Sequence, residues 1–191
     1  MTVSTRIMLA LAVACFSQQP AVAAEIEGVQ FAERVSVGDA ELELRGTGLL
    51  RYRVFFKGYV AAFYLGEASG EPTASDVLGD VPRRLEIEYF WPIPAEKFAE
   101  VTDYGIARNV DPATFESLRQ HIEEFSALYE DIEPGDRYVL TYVPGIGTEL
   151  ARNARTLGVV EGADFSASLF AIWLGDQALD KSLREQLLAR S

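Results

Sequence analysis

Residues that could carry out acid–base, nucleophilic or metal chemistry are scarce in this chain. It contains one histidine, His121, and one cysteine, Cys15. A Ser-His-Asp triad needs a histidine beside a serine and an aspartate, and a histidine-rich metal site needs more than one histidine. His121 has no second histidine and lies beside the apolar stripe of a predicted helix. We therefore assign His121 no chemical role, and we predict neither a metal site nor a cofactor.

The N-terminal segment, which includes Cys15, has the features of an export signal. Arg6 precedes an apolar run from Ile7 to Phe16, and the small residues Ala21-Val22-Ala23-Ala24 follow a polar break. This run is about half of the ~20 residues that a membrane-spanning helix needs. The pattern therefore indicates a signal peptide over Met1–Ala24 and no integral membrane span.

Cleavage is predicted after Ala23 or Ala24, which would leave one domain over residues 25–191 in the periplasm or outside the cell. This domain would contain no cysteine, which excludes disulfides, thiolate nucleophiles and cysteine metal ligands. One alternative stays open. Cleavage immediately before Cys15, as in bacterial lipoproteins, would tether the domain to a membrane.

The charge balance argues against nucleic acid as a partner. The chain has 17 basic and 29 acidic residues and a formal net charge of −12, so phosphate backbones and anionic membrane surfaces repel it. A lipid ligand would therefore be met as a single molecule. We expect the domain to be a monomer.

The sequence pattern predicts strands in the part of the chain up to Leu65 and again between Leu85 and Val160. Apolar and charged residues alternate around Leu42 and Leu44, and the glycines of Gly46-Thr47-Gly48 predict a turn. A long β-rich run from Leu49 to Leu65 is interrupted by Gly58, which suggests a bulge or a close backbone approach. Further strands are predicted at Leu85–Tyr89, Arg137–Val143, Thr148–Arg152 and Arg155–Val160, the last two forming a hairpin that turns at Asn153-Ala154.

Helical patterns stand apart from these strands. A short helix is predicted at Ala74–Leu78, one from about Pro94 to Arg108, one beginning at Asp111-Pro112, one over Phe165–Leu174 capped by Asp164, and one over Lys181–Ala189 capped by Asp180. Strands and helices are segregated and no βαβ alternation occurs. This order predicts an α+β fold, an antiparallel sheet with helices stacked on one face.

Four blocks of the sequence resemble one known family. They are Gly46-Thr47-Gly48-Leu49-Leu50-Arg51 with the run Val54 to Leu65, then Arg84 to Phe90, then Gly135 to Thr148, and finally Phe165 to Gly175. In this order they resemble the chalcone isomerase-like family, and most closely its exported bacterial members. The resemblance implies an open β-sandwich-like fold, a long antiparallel sheet under a layer of helices, with a ligand cleft between them.

The resemblance also implies the residues of the cleft. The arginine that faces the anionic oxygen of the ligand corresponds to Arg51, with Arg53 as the alternative, and Tyr59 stands where fatty-acid-binding relatives carry a tyrosine. A guanidinium beside an apolar cleft can hold a carboxylate with two hydrogen bonds. A straight strand would separate Arg51 from Tyr59 by about 26 Å, so both reach one head group only if the strand bends or folds back. Further polar contacts are expected from Thr102 and Ser166, and tail contacts from Phe55, Val101, Leu169 and Trp173.

Three functions follow from this resemblance. We expect a non-catalytic protein that binds a fatty acid or a similar small apolar carboxylate. The first alternative is a chalcone isomerase-type intramolecular lyase, in which Arg51 stabilises an oxyanion and Tyr59 handles protons; faster loss of the visible absorbance of a chalcone would reveal it. The second alternative is a structural or partner-binding envelope protein whose cleft is filled by its own side chains.

Overall fold

The computed structural model describes residues 22–52, 56–66 and 74–189. The predicted export segment up to residue 21, together with Cys15, and the side chains of Arg53 and Phe55 lie outside the described residues. The strands are β1 (Val22–Ile26), β2 (Val29–Ala32), β3 (Arg34–Val37), β4 (Ala40–Tyr52), β5 (Phe56–Leu65), β6 (Arg83–Tyr89), β7 (Arg137–Val143), β8 (Gly147–Arg152) and β9 (Arg155–Val160). The helices are α1 (Ala74–Leu78), α2 (Ala95–Ala107), α3 (Pro112–Ser126), α4 (Ala163–Leu174) and α5 (Lys181–Leu188).

Strands β3 to β9 form one antiparallel sheet in which each strand pairs with its neighbours in sequence. The hairpin β1–β2 forms a separate two-stranded sheet. The helices enter between or after these strands, with α1 before β6, α2 and α3 before β7, and α4 and α5 after β9. The predicted α+β class is confirmed, and the hairpin turn at Asn153-Ala154 is also confirmed, since both residues have positive φ angles of 47° and 66°.

Strand β5 lies inside the sheet, between β4 and β6, and its residues Val60–Leu65 are buried on both faces. Ala61, Phe63 and Leu65 pack with the helices, whereas Val60, Ala62 and Tyr64 pack on the opposite face with residues of β2 to β4 such as Phe31 and Leu42. Successive side chains of a strand point to opposite faces, so a strand buried on both faces shows a continuous apolar run. This explains why Val60–Leu65 lacks the polar alternation of the outer strands.

Gly46 and Gly48 do not form the turn that we predicted. Strand β4 continues through both residues, and helix α5 lies directly against them. A Cβ atom at Gly46 would lie 2.3 Å from the backbone oxygen of Gln186, and one at Gly48 would lie 2.6 Å from a methyl group of Leu183. The two glycines therefore allow a helix to approach a strand closely, which sequence alone cannot distinguish from a turn.

The run from Leu49 to Leu65 is two strands of a hairpin rather than one long strand. Strands β4 and β5 are antiparallel, with Leu50 opposite Tyr59 and Arg51 opposite Lys57. The register skips one residue on β5 at this point, so Gly58 forms a bulge, as its place in the run suggested. The chain therefore reverses direction between Tyr52 and Phe56.

The helices begin and end close to the predicted residues, with one difference at α4. Asp111 and Asp180 cap α3 and α5 by accepting hydrogen bonds from backbone N–H groups. Helix α4 begins at Ala163, so Asp164 lies in its first turn, and Gly162 with a φ of 106° is the residue before it. Within the described residues, no helix has the length and apolar character needed to cross a membrane.

Candidate functional site

A cavity of about 500 Å³ opens between the sheet and the helices. Strands β4 to β7 provide its floor, and α2, α4 and the segments beside α3 and α5 provide its walls. Most of the lining is apolar or aromatic. The lining residues are Leu50, Arg51, Tyr59, Ile87, Tyr89, Ile93, Lys97, Phe98, Val101, Thr102, Tyr129, Tyr138, Leu140, Trp173, Leu179 and Asp180.

The β4–β5 hairpin brings Arg51 and Tyr59 to this cavity together. Tyr59 pairs with Leu50, the residue before Arg51, across the hairpin. Directly opposed residues on antiparallel strands have Cβ atoms about 5 Å apart. The separation of about 26 Å that a straight strand would impose is thereby removed. The reversal and the Gly58 bulge place both predicted head-group residues on the lining.

The charged groups of the lining lie toward solvent. The side chain of Arg51 is 52% exposed, and its Nη2 lies 3.5 Å from Oε1 of Glu27, which also pairs with Lys57. Lys97 is likewise exposed and pairs with Glu100 on its own helix. The third charged group, Asp180, accepts a hydrogen bond from the backbone N–H of Leu183 at 2.7 Å and so caps α5. We define the rim of the cavity as Arg51, Lys97 and Asp180.

Tyr59 is held by a hydrogen bond from the opposite wall. Nε1 of Trp173 donates to the Tyr59 hydroxyl oxygen at 3.1 Å. Burial raises the pKa of Tyr59 far above its ordinary value, so its phenol stays protonated. Because the indole can only donate, the hydroxyl hydrogen of Tyr59 remains free to donate to a ligand oxygen.

Thr102 also lines the cavity, on the inner face of α2. It is 2% exposed, and its hydroxyl lies 2.8 Å from the hydroxyl of Tyr129. Burial raises the pKa of Tyr129 as well. The structure thus brings three of the four predicted binding residues, Arg51, Tyr59 and Thr102, to one cavity.

Ser166, the fourth predicted residue, is not on this cavity. It is fully buried near the start of α4, where its hydroxyl oxygen accepts a hydrogen bond from Nη2 of Arg83 at 2.7 Å. The Arg83 guanidinium is itself buried between the rings of Tyr142 and Phe170, at 4.6 and 4.8 Å from their centroids. Burial lowers the pKa of Arg83 to about 10. The position of Ser166 therefore indicates a structural contact.

Ser166→Ala is expected to lower the free energy of unfolding by roughly 1.5–3 kcal/mol, because it removes a hydrogen bond from a buried charged group. The affinity for an acid ligand should stay the same while the protein is folded. Urea denaturation and ligand titration of the same variant measure the two effects. A loss of affinity without a loss of stability would instead place Ser166 in the ligand site.

Some of the residues that we predicted to contact the acyl tail line the cavity, and one of them does not. Val101 and Trp173 line the cavity, whereas Leu169 is fully buried in the core between the helices and the sheet. Leu169 belongs to α4, a strongly apolar helix that is buried on almost every side. Periodicity can indicate that such a helix is buried, but it cannot identify the residues that border a cavity.

Sequence reasoning assigned no role to the three tyrosines that complete the cavity. Tyr89 and Tyr138 come from the inward-facing positions of β6 and β7, and Tyr129 follows α3. Tyr129 stacks on Phe98, and the other ring pairs among the three tyrosines and Phe98 are edge to face or tilted, with centroid separations between 5.1 and 6.1 Å. The alternation of the two strands predicts that Tyr89 and Tyr138 point inward; nothing in the local sequence distinguishes Tyr129 from a surface residue.

Two comparisons find similar proteins. A family model described as chalcone isomerase-like matches residues 23–189. Among solved structures, a fatty-acid binding protein of Arabidopsis thaliana is similar, with a TM-score of 0.64, 17% sequence identity, and coverage of 84% of this chain and 92% of the plant chain. No curated protein sequence matches the chain. At 17% identity the structural similarity concerns the fold.

Proposed function

This chain belongs to the chalcone isomerase-like family, and on that premise we propose that it binds a fatty acid or a similar small apolar carboxylate in the cavity between its sheet and its helices. The observation that carries the proposal is the combination of a mostly apolar cavity with Arg51 on its rim. A cavity of about 500 Å³ falls within the range of ~300–1,000 Å³ typical of small-molecule sites. A cleft filled by its own side chains, as the structural alternative requires, would not leave this space.

The head group is assigned to the rim by charge and hydrogen bonding. The guanidinium of Arg51 can pair with a carboxylate in a two-pronged contact, and the protonated hydroxyl of Tyr59 can donate a further hydrogen bond. The deeper lining consists of aromatic and aliphatic residues such as Ile87, Phe98 and Leu140. Transfer of an acyl chain from water to such surfaces is favourable in proportion to the apolar area that is buried.

The cavity favours binding over acid–base catalysis. Among the described residues, Asp180 is the one carboxylate of the lining, and it already accepts a hydrogen bond as the cap of α5. Burial raises the pKa values of Tyr59, Tyr89 and Tyr129, so none of these phenols is an effective base at neutral pH. The plant protein with a similar fold carries the name of a fatty-acid binding protein, which supports the same class of ligand.

We propose in addition that the protein is exported. The proposal rests on the N-terminal apolar run and on the small residues before Glu25. Intact-mass measurement of the protein from the periplasm or medium of a bacterial host tests it. Loss of the segment up to Ala23 or Ala24 is expected; a lipidated Cys15 would support the tethered form, and an unprocessed chain in the cytoplasm would contradict export.

Binding is tested with delipidated protein and saturated acids of increasing chain length in a calorimeter. We expect affinity to rise by roughly tenfold for every two methylene groups until the cavity is full, because each buried methylene contributes about 0.8 kcal/mol. Native mass spectrometry of the purified protein should show a co-purifying acyl acid. Absence of binding across the whole series would eliminate the proposal.

A further inference from the structure

The cavity contains more hydrogen-bond donors than one carboxylate head group uses. Besides Tyr59, the hydroxyls of Tyr89, Thr102, Tyr129 and Tyr138 belong to lining residues. The Tyr138 hydroxyl is fully engaged, since it donates to the backbone oxygen of Glu130 at 2.6 Å and accepts from the backbone N–H of the same residue at 2.9 Å. The hydroxyls of Tyr89, Thr102 and Tyr129 differ from it, because each can have a hydrogen that no acceptor among the described residues uses.

Thr102 and Tyr129 share one hydrogen bond between two hydroxyls. Whichever of them donates, the other keeps a hydrogen for which no residue in the described part of the chain supplies an acceptor. Thr102 is 2% exposed, Tyr129 is partly buried, and both line the cavity, so a ligand there can reach this hydrogen. A buried donor without an acceptor costs free energy, and that cost is removed if a ligand or a trapped water accepts from it.

Tyr89 adds a second free donor in the same region. It is 5% exposed, and its hydroxyl has no hydrogen-bond partner among residues 22–52, 56–66 and 74–189. Burial and the neighbouring tyrosines raise its pKa, so the hydroxyl stays protonated and able to donate.

The donors on Tyr89, Thr102 and Tyr129 lie among aromatic rings of the lining. The ring of Tyr89 lies 5.5 Å from that of Tyr59 and 5.3 Å from that of Phe98, which stacks on Tyr129 at 5.3 Å. Tyr59 borders the rim, because it pairs with the residue before Arg51. Besides the rim with Tyr59, the cavity therefore has a second set of hydroxyls on Tyr89, Thr102 and Tyr129, which we call the inner group; the rings of Tyr89 and Tyr129 both contact Phe98.

We propose that the preferred ligand is an oxo-acyl acid, with its carboxylate at the rim and a keto oxygen along its chain that accepts hydrogen bonds from Tyr89 and from the Thr102–Tyr129 pair. The inner group offers hydroxyl hydrogens to donate, and a keto oxygen accepts from them and brings no hydrogen that would itself need an acceptor. A plain acyl chain leaves these donors without a partner. This inference rests on the proposed function and specifies its ligand class.

The test compares hexadecanoic acid with oxohexadecanoic acids whose keto group stands at successive positions of the chain. Calorimetry with wild-type protein is expected to find one or two adjacent positions that bind about tenfold more tightly than the plain acid. The Thr102→Val/Tyr129→Phe double variant should lose this preference, so that it binds the plain acid and the oxo acids with similar affinity. Tyr138→Phe is the matched control, because it removes a cavity hydroxyl that is already engaged, and it should keep the preference.

The outcomes separate the inference from the function on which it rests. Equal affinity of wild-type protein for the plain acid and every oxo isomer would overturn the inference and leave acid binding intact. A preference that survives in both the double variant and Tyr89→Phe would also overturn it. Failure of every acid to bind would remove the proposed function itself, and this inference with it.

Discussion

Arg51→Ala is expected to weaken the binding of a long-chain acid by about ten- to thirtyfold. The substitution removes a charge-assisted pair with the carboxylate, which contributes roughly 1.5–3 kcal/mol when shielded from water. The side chain of Arg51 is 52% exposed, so solvent screening places the effect in the lower part of that range. Calorimetric titration of hexadecanoic acid at low and high salt measures it, and the difference between variant and wild type should shrink at high salt.

Lys97→Ala is the matched control for Arg51, because Lys97 is an exposed cation on the same rim. We expect at most a threefold change, since its ammonium already pairs with Glu100 and lacks the planar fork of a guanidinium. If Lys97→Ala lowers the affinity more than Arg51→Ala does, the carboxylate binds at Lys97 and our assignment of the head group to Arg51 is wrong. If neither substitution changes the affinity, the carboxylate of the ligand does not bind at the rim.

Glu27→Gln should change the affinity in the opposite direction. The Glu27 carboxylate lies against Arg51 and Lys57 and therefore competes with the carboxylate of the ligand. Removing its charge is expected to raise the affinity about two- to fivefold, the value of an exposed ion pair. Glu43→Gln, which disrupts an exposed pair with Arg34 away from the cavity, should leave the affinity unchanged.

Gly46→Ala is expected to lower the free energy of unfolding by about 3 kcal/mol, the upper range for overpacking. The new Cβ would lie 2.3 Å from the backbone oxygen of Gln186 and 2.6 Å from that of Ala189. Backbone atoms cannot rotate away as a side chain can, so α5 must move off β4. Chemical denaturation followed by circular dichroism measures the loss.

Gly66→Ala is the control for the backbone effect of replacing a glycine. A Cβ atom at Gly66 would have no atom within 4 Å, so its stability should stay within about 0.5 kcal/mol of wild type. Comparable stabilities of the two variants would show that α5 does not rest on Gly46. Since Asp180 at the start of α5 borders the cavity, a displaced helix should also weaken ligand binding.

The sequence by itself predicted the fold class and most of the elements. These elements depend on residues two to four positions apart, and they form close to their predicted bounds. The caps at Asp111 and Asp180 are equally local. The family resemblance selected Arg51 and Tyr59, and Thr102 was chosen as a polar group of the helix that follows the middle strand. All three border one cavity; binding by these residues stays a prediction.

Tertiary structure decided the features that depend on distant parts of the chain. The residues around Gly46 show the same local pattern whether the glycine forms a turn or lies under a helix. Only the contact with α5, which lies some 140 residues later in the chain, distinguishes the two cases. If that segment were one helix, it would be ~210 Å long. Ser166 bonds to Arg83 because β6 reaches the start of α4. The hydroxyl pair of Thr102 and Tyr129 forms where α2 meets the segment after α3. Pairings between segments far apart in sequence leave no periodic trace along the chain, so the periodicity that predicted the elements could not predict the cavity between them.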